Sequence, residues 1–338
     1  MKKNLVLINF GGPRDASEIR KFLTDLFSDP NIFSVPLPEF LRLALARFIA
    51  KKRTPKVEHA YKAMGFGGGS PLVAETFRQA EALKKVLDNK TGDLWNIKVA
   101  MTCGYPHLNE MQPKELVPSA NNILLPLFPH FSFSTTGSVI WNLENITGKN
   151  PTGKTGWICP FYLKSGYLEA TAAVILDYFA GKNMKHFLNP DRTDGVRDWQ
   201  NVDILFSAHG IPESMVKKGD TYRQEIADNV SRLTTVLRKK GFRGKTLLSF
   251  QSRVGPVEWI KPYTVDLLKE LGQKGQKRIA VYPISFVSDH LETLEEIGMQ
   301  LKEVAHENGI RDYYRIPAPG THPAFIKALA EIVTGKNS

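Results

Sequence analysis

Short, almost uniformly apolar runs alternate along the chain with longer stretches in which apolar residues recur every three or four positions. The runs "NLVLINF" (4–10), "IKVAMTC" (97–103), "NILLPLF" (122–128), "TGWIC" (155–159), "VDILFSA" (202–208), "KTLLSFQ" (245–251) and "KRIAVYPI" (277–284) predict strands. The stretches 15–27, 38–51, 71–89, 133–146, 165–180, 220–239, 262–273, 290–306 and 322–334 predict helices. Strands apolar on both faces and separated by helices form parallel sheets covered on both sides. The same grammar stands on either side of "TGKNPTGKTG" (147–156), a Gly/Pro/Lys stretch, and predicts two doubly wound α/β lobes. In such folds ligands sit at the carboxyl ends of the strands.

The candidates are therefore sought in the segments just after the strands. After the first comes "FGGPRDASE". Gly11 and Gly12 allow a tight turn or close approach of a ligand, and Asp15 with Glu18 fits a capping box. In "GFGGGSPL" (65–72), Ser70 suits an N-cap and Pro71 the first helical position; exposed N–H groups there would also take a carboxylate or a phosphate. "FSAHGIP" places His209 just past an apolar run, as a turn residue or as a titratable group at a strand end. Trp259 lies in a turn between Pro256 and Pro262, as packing or as a wall for a flat ligand.

"FVSDHLETL" (286–294) holds the densest chemistry. Asp289 at N-cap and Glu292 three residues on read as a capping box. That leaves His290, Glu295 and Glu296 unexplained. On a helix Asp289, Glu292, Glu296 and Gln300 share one face, either solvated or a track for a hydrated cation.

Composition narrows the partners. The 338 residues include 45 Lys and Arg against 34 Asp and Glu, a net charge of +11 that favours anionic partners. Nucleic acid finds no support, since no zinc-finger spacing or RNP-like strand is present. Two distant cysteines, Cys103 and Cys159, argue against a disulfide framework or a zinc cluster and fit a reducing cytoplasm. The start, "MKKNLVLINFGGP", reads as a first strand rather than a signal peptide, and no apolar run approaches the ~20 residues of a spanning helix. Residues 30–56 join a Pro-rich apolar loop to a helix ending in Lys51, Lys52, Arg53 and Lys56. This is either a lip for a membrane surface or amphiphilic ligand, or a core helix with cations at its C-terminal end.

Taken in order, "INFGGP", "KKRTPK", "GGGSPL", "LLPLFPHFSFSTTGS", "FSAHGIP", "FQSRVGPVEWIKPYT" and "FVSDHLETL" resemble ferrochelatases, which insert ferrous iron into a porphyrin at the end of haem synthesis. The resemblance spans nearly the whole chain. It implies an α/β chelatase fold: two similar Rossmann-like lobes, parallel sheets flanked by helices, and an active-site cleft between them. The lobes would cover 1–150, with the lip at about 30–56 and the C-terminal helix 321–338 added, and 151–320.

By the same resemblance His209 is the catalytic histidine and Glu292 its partner carboxylate, these two also meeting the metal. Asp289 and His290 support that carboxylate, Arg53 and Ser70 meet the porphyrin propionates, and Trp259 lines the porphyrin pocket. The first loop is more like enzymes using protoporphyrin IX than those using coproporphyrin III. The implied partners are protoporphyrin IX and Fe2+ as substrates, with no resident cofactor. The implied location is the cytoplasm, with peripheral contact on the inner face of the membrane. Two cysteines cannot supply the four ligands of an iron–sulfur cluster. Three features depart from the pattern: Thr102-Cys103 where many members have Arg-Tyr, extra residues in "MGFGGGS", and Gly298 and Gln300 where many continue the acidic stripe. Rival readings are a coproporphyrin III ferrochelatase, a non-catalytic porphyrin or haem carrier of the same fold, and a chelatase for cobalt and another tetrapyrrole. The long lip favours a ferrochelatase over the last.

The chemistry suits these residue types. A flat free-base porphyrin must bend and lose two pyrrole protons before iron can enter. An imidazole such as His209 accepts protons near neutrality. Imidazole with carboxylate offers ferrous iron a loose ligand set from which it can leave.

Overall fold

In the computed structural model of the chain, residues 2–33 and 35–335 are described, so that Ser34 of the lip and the last three residues of the 321–338 segment lie outside the described residues. The chain divides into residues 1–160 and 161–338. The first unit contains β1 (Lys2–Asn9), α1 (Ile19–Ser28), α2 (Glu39–Ala63), α3 (Leu72–Thr91), β2 (Leu94–Met101), β3 (Asn122–Pro126) and α4 (Ser138–Thr147). Its sheet runs β2-β1-β3, all parallel. The second contains α5 (Ser165–Ala180), β4 (Asp203–His209), α6 (Glu213–Lys217), α7 (Tyr222–Lys239), β5 (Thr246–Gln251), α8 (Thr264–Gln273), β6 (Arg278–Pro283), α9 (Leu301–Glu307), β7 (Asp312–Arg315) and α10 (Pro323–Thr334). Its sheet, β5-β4-β6-β7, is likewise parallel.

Strands β3, β4 and β6 are buried on both faces, as parallel sheets covered by helices require. In β4, Ile204, Phe206 and Ala208 pack with Ile175, Tyr178 and Leu233. Leu205 points the other way, into a core with Val281, Ile297 and Leu301. Each buried Leu, Ile, Val or Phe among them contributes about 1.5–3 kcal/mol. The two-residue period of the strand puts Ser207 and His209 in phase with Leu205. His209 thus emerges on the Ile297 side at the strand's carboxyl end.

The two sheets share a register. Ile8 of β1 lies opposite Pro126 of β3, and Ser207 of β4 lies opposite Pro283 of β6. Beyond each of those prolines the chain winds as a π-helix, Phe133–Gly137 in the first unit and Glu292–Gln300 in the second.

Several expectations are revised. The helices expected at 133–146 and 290–306 both begin as these π-helices. Helix α2 continues through Pro55 to Ala63 rather than ending near 51. "TGWIC" makes a single bridge, Leu124 to Trp157, instead of a strand, and β7 is an additional edge strand. The units divide at Pro160 rather than near 150. Helix α10 belongs to the second unit, not the first: its apolar face, with Phe325, Ile326 and Leu329 buried, packs on α5.

Candidate active site

His209 ends β4, its backbone N–H donating to the Ser285 hydroxyl at 3.0 Å. Ring atom Nδ1 faces the Gly210 carbonyl oxygen, so Nδ1 carries the proton of that bond. That leaves Nε2 for chemistry, and it lies 3.4 Å from Glu292 Oε1. His290 Nε2 approaches the other carboxylate oxygen at 3.5 Å. About a third of each partner's side chain is open, 34% for His209 and 31% for Glu292. Burial opposes charge on the imidazole, but the charge and hydrogen bond of Glu292 outweigh it, with the Gly210 carbonyl adding, and raise His209 to about 9. Burial likewise opposes charge on Glu292, while His209 and then His290 hold its carboxyl well below the usual carboxylate range. At neutral pH the two form an imidazolium–carboxylate pair.

The capping box expected from Asp289 and Glu292 does not form. Leu291 precedes the π-helix without a side-chain cap, and the turn is closed by others. Thr293 Oγ1 accepts from the His290 N–H at 3.0 Å, and the N–H groups of Thr293 and Leu294 donate to the His290 carbonyl. Glu292 is thereby left for His209. Asp289, 1% exposed, is drawn instead into an ion pair with Arg315 Nη1 at 3.1 Å. Removing one member of such a buried pair costs about 3–5 kcal/mol.

The acidic stripe is also shorter than expected. A π-helix closes i→i+5 bonds, seen where the Leu301 N–H donates to the Glu296 carbonyl. Glu296 stays with the site: its carboxylate accepts from the Ser252 N–H at 2.8 Å, the Ser252 hydroxyl, and Gln251 Nε2 at 3.1 Å. Burial raises its carboxyl, against the Ser252 hydrogen bonds, and the Glu292 charge raises it further. Gln300 leaves the stripe to donate to Glu295. Gly298 faces inward, where a Cβ would lie 3.1 Å from Arg315 Cδ.

Trp259 stands beside His209, ring centroids 6.2 Å apart, with its indole N–H on the Val254 carbonyl. Gly210 leaves it room: a Cβ there would lie 3.1 Å from Trp259 Cε3. Phe286 packs on His290 at 4.7 Å.

Beneath these residues runs a polar layer that the sequence pattern did not single out. Ser207 donates to Gln251 Oε1 at 2.6 Å and shares a hydrogen bond with Thr264, which Ser249 also meets. Gln251 Nε2 then donates to the Glu292 carbonyl at 3.0 Å, fixing the first residue of the π-helix. A signal for it was present: Ser207 and His209, and Ser249 and Gln251, are polar residues two apart inside apolar strands, and therefore on one face. The strands pair Ser207 with Ser249 and His209 with Gln251.

Arg53 and Ser70 belong to the first unit. Ser70 is buried, with its Oγ accepting from the Leu72 N–H and its own N–H on the Pro13 carbonyl. Helix α3 thus starts one residue later than expected, with Pro71 before it. Three loops interlock here. Gly11 has φ +96°, and a Cβ on it would lie 1.9 Å from the Cys103 carbonyl oxygen. A Cβ on Gly69 would lie 2.1 Å from the Arg14 carbonyl oxygen, which explains why the Gly-rich run abuts "GGPR". Thr102 and Cys103 hold this join: their N–H groups donate to the Asn9 and Phe10 carbonyls. Burial raises the Cys103 thiol, which is thereby kept neutral. Arg53 lies over the Phe27 ring, 5.7 Å from its centroid.

The structure thus gathers His209, His290, Glu292 and Trp259 within the second unit, with Asp289 behind them. Among the described residues no group of three or more His, Cys, Asp or Glu side chains is arranged to enclose a metal ion.

A family model described as Ferrochelatase matches residues 2–337. The ferrochelatase of Leptospira borgpetersenii serovar Hardjo-bovis (strain L550) is 55% identical over 333 residues, 98% of this chain and 91% of that protein. The ferrochelatase of Nostoc punctiforme is 42% identical over 334 residues, 97% of this chain and 81% of its own. A solved structure of CbiX, the terminal enzyme for biosynthesis of siroheme in denitrifying bacteria, aligns over 99% of this chain and 100% of its own. Its TM-score of 0.51 at 13% identity speaks for the fold alone. With the family model covering nearly the whole chain, and relatives this similar across it, the chain belongs to the ferrochelatase family, the haem-synthesis enzymes that insert iron into a porphyrin.

Proposed function

We propose that the chain inserts Fe2+ into protoporphyrin IX, as a metal-inserting lyase, with His209 taking the pyrrole protons and Glu292 meeting the iron. The observation that carries this reading is the His209–Glu292 pair, 3.4 Å apart at the end of β4. In the metal-free pair His209 holds its proton because the carboxylate faces it. A cation arriving at Glu292 cancels that field and weakens the hold. His209 then releases its proton and its imidazole can accept one from the porphyrin. Glu296, whose carboxyl is raised while that of Glu292 is lowered, is suited to pass protons onward. Trp259 walls the bent ring, and His290 orients Glu292.

Arg53 and Ser70, with the N–H groups at the start of α3, meet the propionates. No resident cofactor takes part, and iron is substrate only. The protein works in the cytoplasm, touching the membrane with α2. On that helix Phe40 is 70% and Phe48 55% exposed, with Lys51 and Lys52 exposed beside them. Among the described residues no helix is long and apolar enough to cross a membrane. Salt-sensitive flotation with anionic vesicles, absent with neutral ones, checks this part.

The deciding experiment is anaerobic incubation of the protein with Fe2+ and either protoporphyrin IX or coproporphyrin III, following loss of the free-base spectrum. The proposal expects faster metallation of protoporphyrin IX. A reversed preference assigns coproporphyrin III as substrate, and porphyrin binding without metallation assigns a carrier.

A further inference from the structure

Strand β7 takes no part in the proposed chemistry, yet two of its residues reach the segment that carries Glu292. Tyr313 and Arg315 lie two apart and so share a face of the strand. The Tyr313 hydroxyl donates to the Ile297 carbonyl at 2.8 Å, inside the π-helix. Arg315 is 4% exposed. Its Nη1 donates to Asp289 at 3.1 Å, its Nη2 to the Asn189 carbonyl at 2.6 Å, and its backbone N–H to Asp191 at 3.2 Å. Its Cδ lies under Gly298, where even a Cβ would press on it at 3.1 Å.

Arg315 is therefore the cation that neutralises Asp289. The second carboxylate oxygen of Asp289 is buried and meets no hydrogen-bond partner among the described residues. From Asp289 to Glu292 there is no slack. The His290 N–H is held by Thr293, and the His290 carbonyl by the N–H groups of Thr293 and Leu294. A shift at Asp289 is passed directly to His290 and Glu292.

We infer that Arg315 is a positioning residue for metal insertion: by gripping Asp289 it sets where the Glu292 carboxylate stands against His209. This rests on the reading of His209 and Glu292 as the reacting pair. Arg315 is buried and is argued to act through Asp289. Residues that orient reacting groups in this way typically cost 10–100-fold in activity when removed.

The test uses the full chain, Zn2+ as the metal and protoporphyrin IX. Arg315→Met alone would strand a buried carboxylate, so the pair is neutralised together as Asp289→Asn/Arg315→Met. Arg315→Lys keeps a cation on Asp289, and Glu292→Gln serves as reference. The inference expects the double variant to lose about 10–100-fold in kcat with porphyrin KM within about twofold. It expects Arg315→Lys to stay within about threefold of wild-type kcat. A double variant with wild-type kcat beside a Glu292→Gln that has lost about 10–100-fold overturns the inference and leaves the reacting pair standing. KM rising in step with the fall in kcat overturns it too, since that marks a general loosening of the pocket. Wild-type turnover in Glu292→Gln instead sinks the reacting pair itself. Should the double variant fail to fold, Asp289→Asn is read beside Arg315→Lys: a loss of about 10–100-fold in kcat in the first with near-normal kcat in the second supports the inference, and near-normal kcat in both overturns it.

Discussion

Ile8 opposite Pro126 in the first sheet and Ser207 opposite Pro283 in the second give a common origin from which to count. Two positions past Ile8 and Ser207 stand Phe10 and His209, each followed by Gly-x-Pro (Gly11-Gly12-Pro13 and Gly210-Ile211-Pro212). Nine positions past the two prolines, at 135 and 292, stand Thr135 and Glu292, both inside π-helices. By this count the first unit carries no titratable side chain at either place. Strand end, glycine turn and π-helix are thus a scaffold, and the chemistry enters with the side chains placed on it. The turns differ as well. Gly11 adopts a conformation that side chains rarely take and lets two loops interlock, whereas Gly210 keeps ordinary dihedrals and makes room for Trp259 beside the histidine.

The largest expected effect comes from removing the group that the first unit lacks. His209→Ala should lower metallation by about 100- to 10,000-fold, the range for a positioned base, while porphyrin still quenches intrinsic fluorescence with near-normal affinity. Turnover close to wild type would remove His209 from the reaction and erase the contrast between the units. Next comes the π-helix pair. Glu292→Gln should lose roughly 10–100-fold in kcat, whereas Thr135→Val at the corresponding place should stay within about twofold. Equal losses in the two variants would show that the π-helices contribute through shape rather than charge.

The glycines give a smaller, structural comparison. Gly11→Ala must place a Cβ against the Cys103 carbonyl at positive φ, and should cost at least about 1–3 kcal/mol from the backbone alone. Gly210→Ala keeps an ordinary backbone conformation but sets its Cβ 2.9 Å from the Gln251 carbonyl oxygen and 3.1 Å from Trp259 Cε3, so it should melt below wild type, by less than Gly11→Ala, and shift Trp259 emission. Identical melting shifts with unchanged emission would deny the two turns their separate roles.

Much of this was legible because it is local. Alternating apolar runs and helical periods mark the parallel strands and most helices. His209 and Trp259 are visible because a polar or aromatic residue in a turn past an apolar strand stands out. Asp289 was misread for the same reason that His209 was found. "SDHLE" fits a local capping template, but Asp289 has a stronger partner in Arg315, 26 residues away across β6 and β7. No local pattern announces that ion pair, and none announces the π-helix, whose carbonyls depend on Gln251 and Tyr313 from distant strands. The acidic stripe failed with it: read on an α-helix, Gln300 joins Glu296, whereas the wider π turn sends it to Glu295. In the sequence Gly298 is only a gap in the acidic stripe, and the packing shows it as the space that Arg315 occupies.

Beneath all of this lies one electrostatic relation: the Glu292 charge governs the proton on His209, which the first unit has no means to do. It is read by NMR titration of the His209 imidazole in the metal-free protein and in Glu292→Gln. In the wild type it should titrate near 9, because the carboxylate outweighs burial. A histidine raised above its usual 6.5 adds stability that is full below that pH and is lost as pH rises through about 9. In Glu292→Gln the main attraction is gone and burial remains, so the midpoint should fall well below that of the wild type. A midpoint that stays near 9 in Glu292→Gln, or one already near 6.5 in the wild type, would contradict that relation.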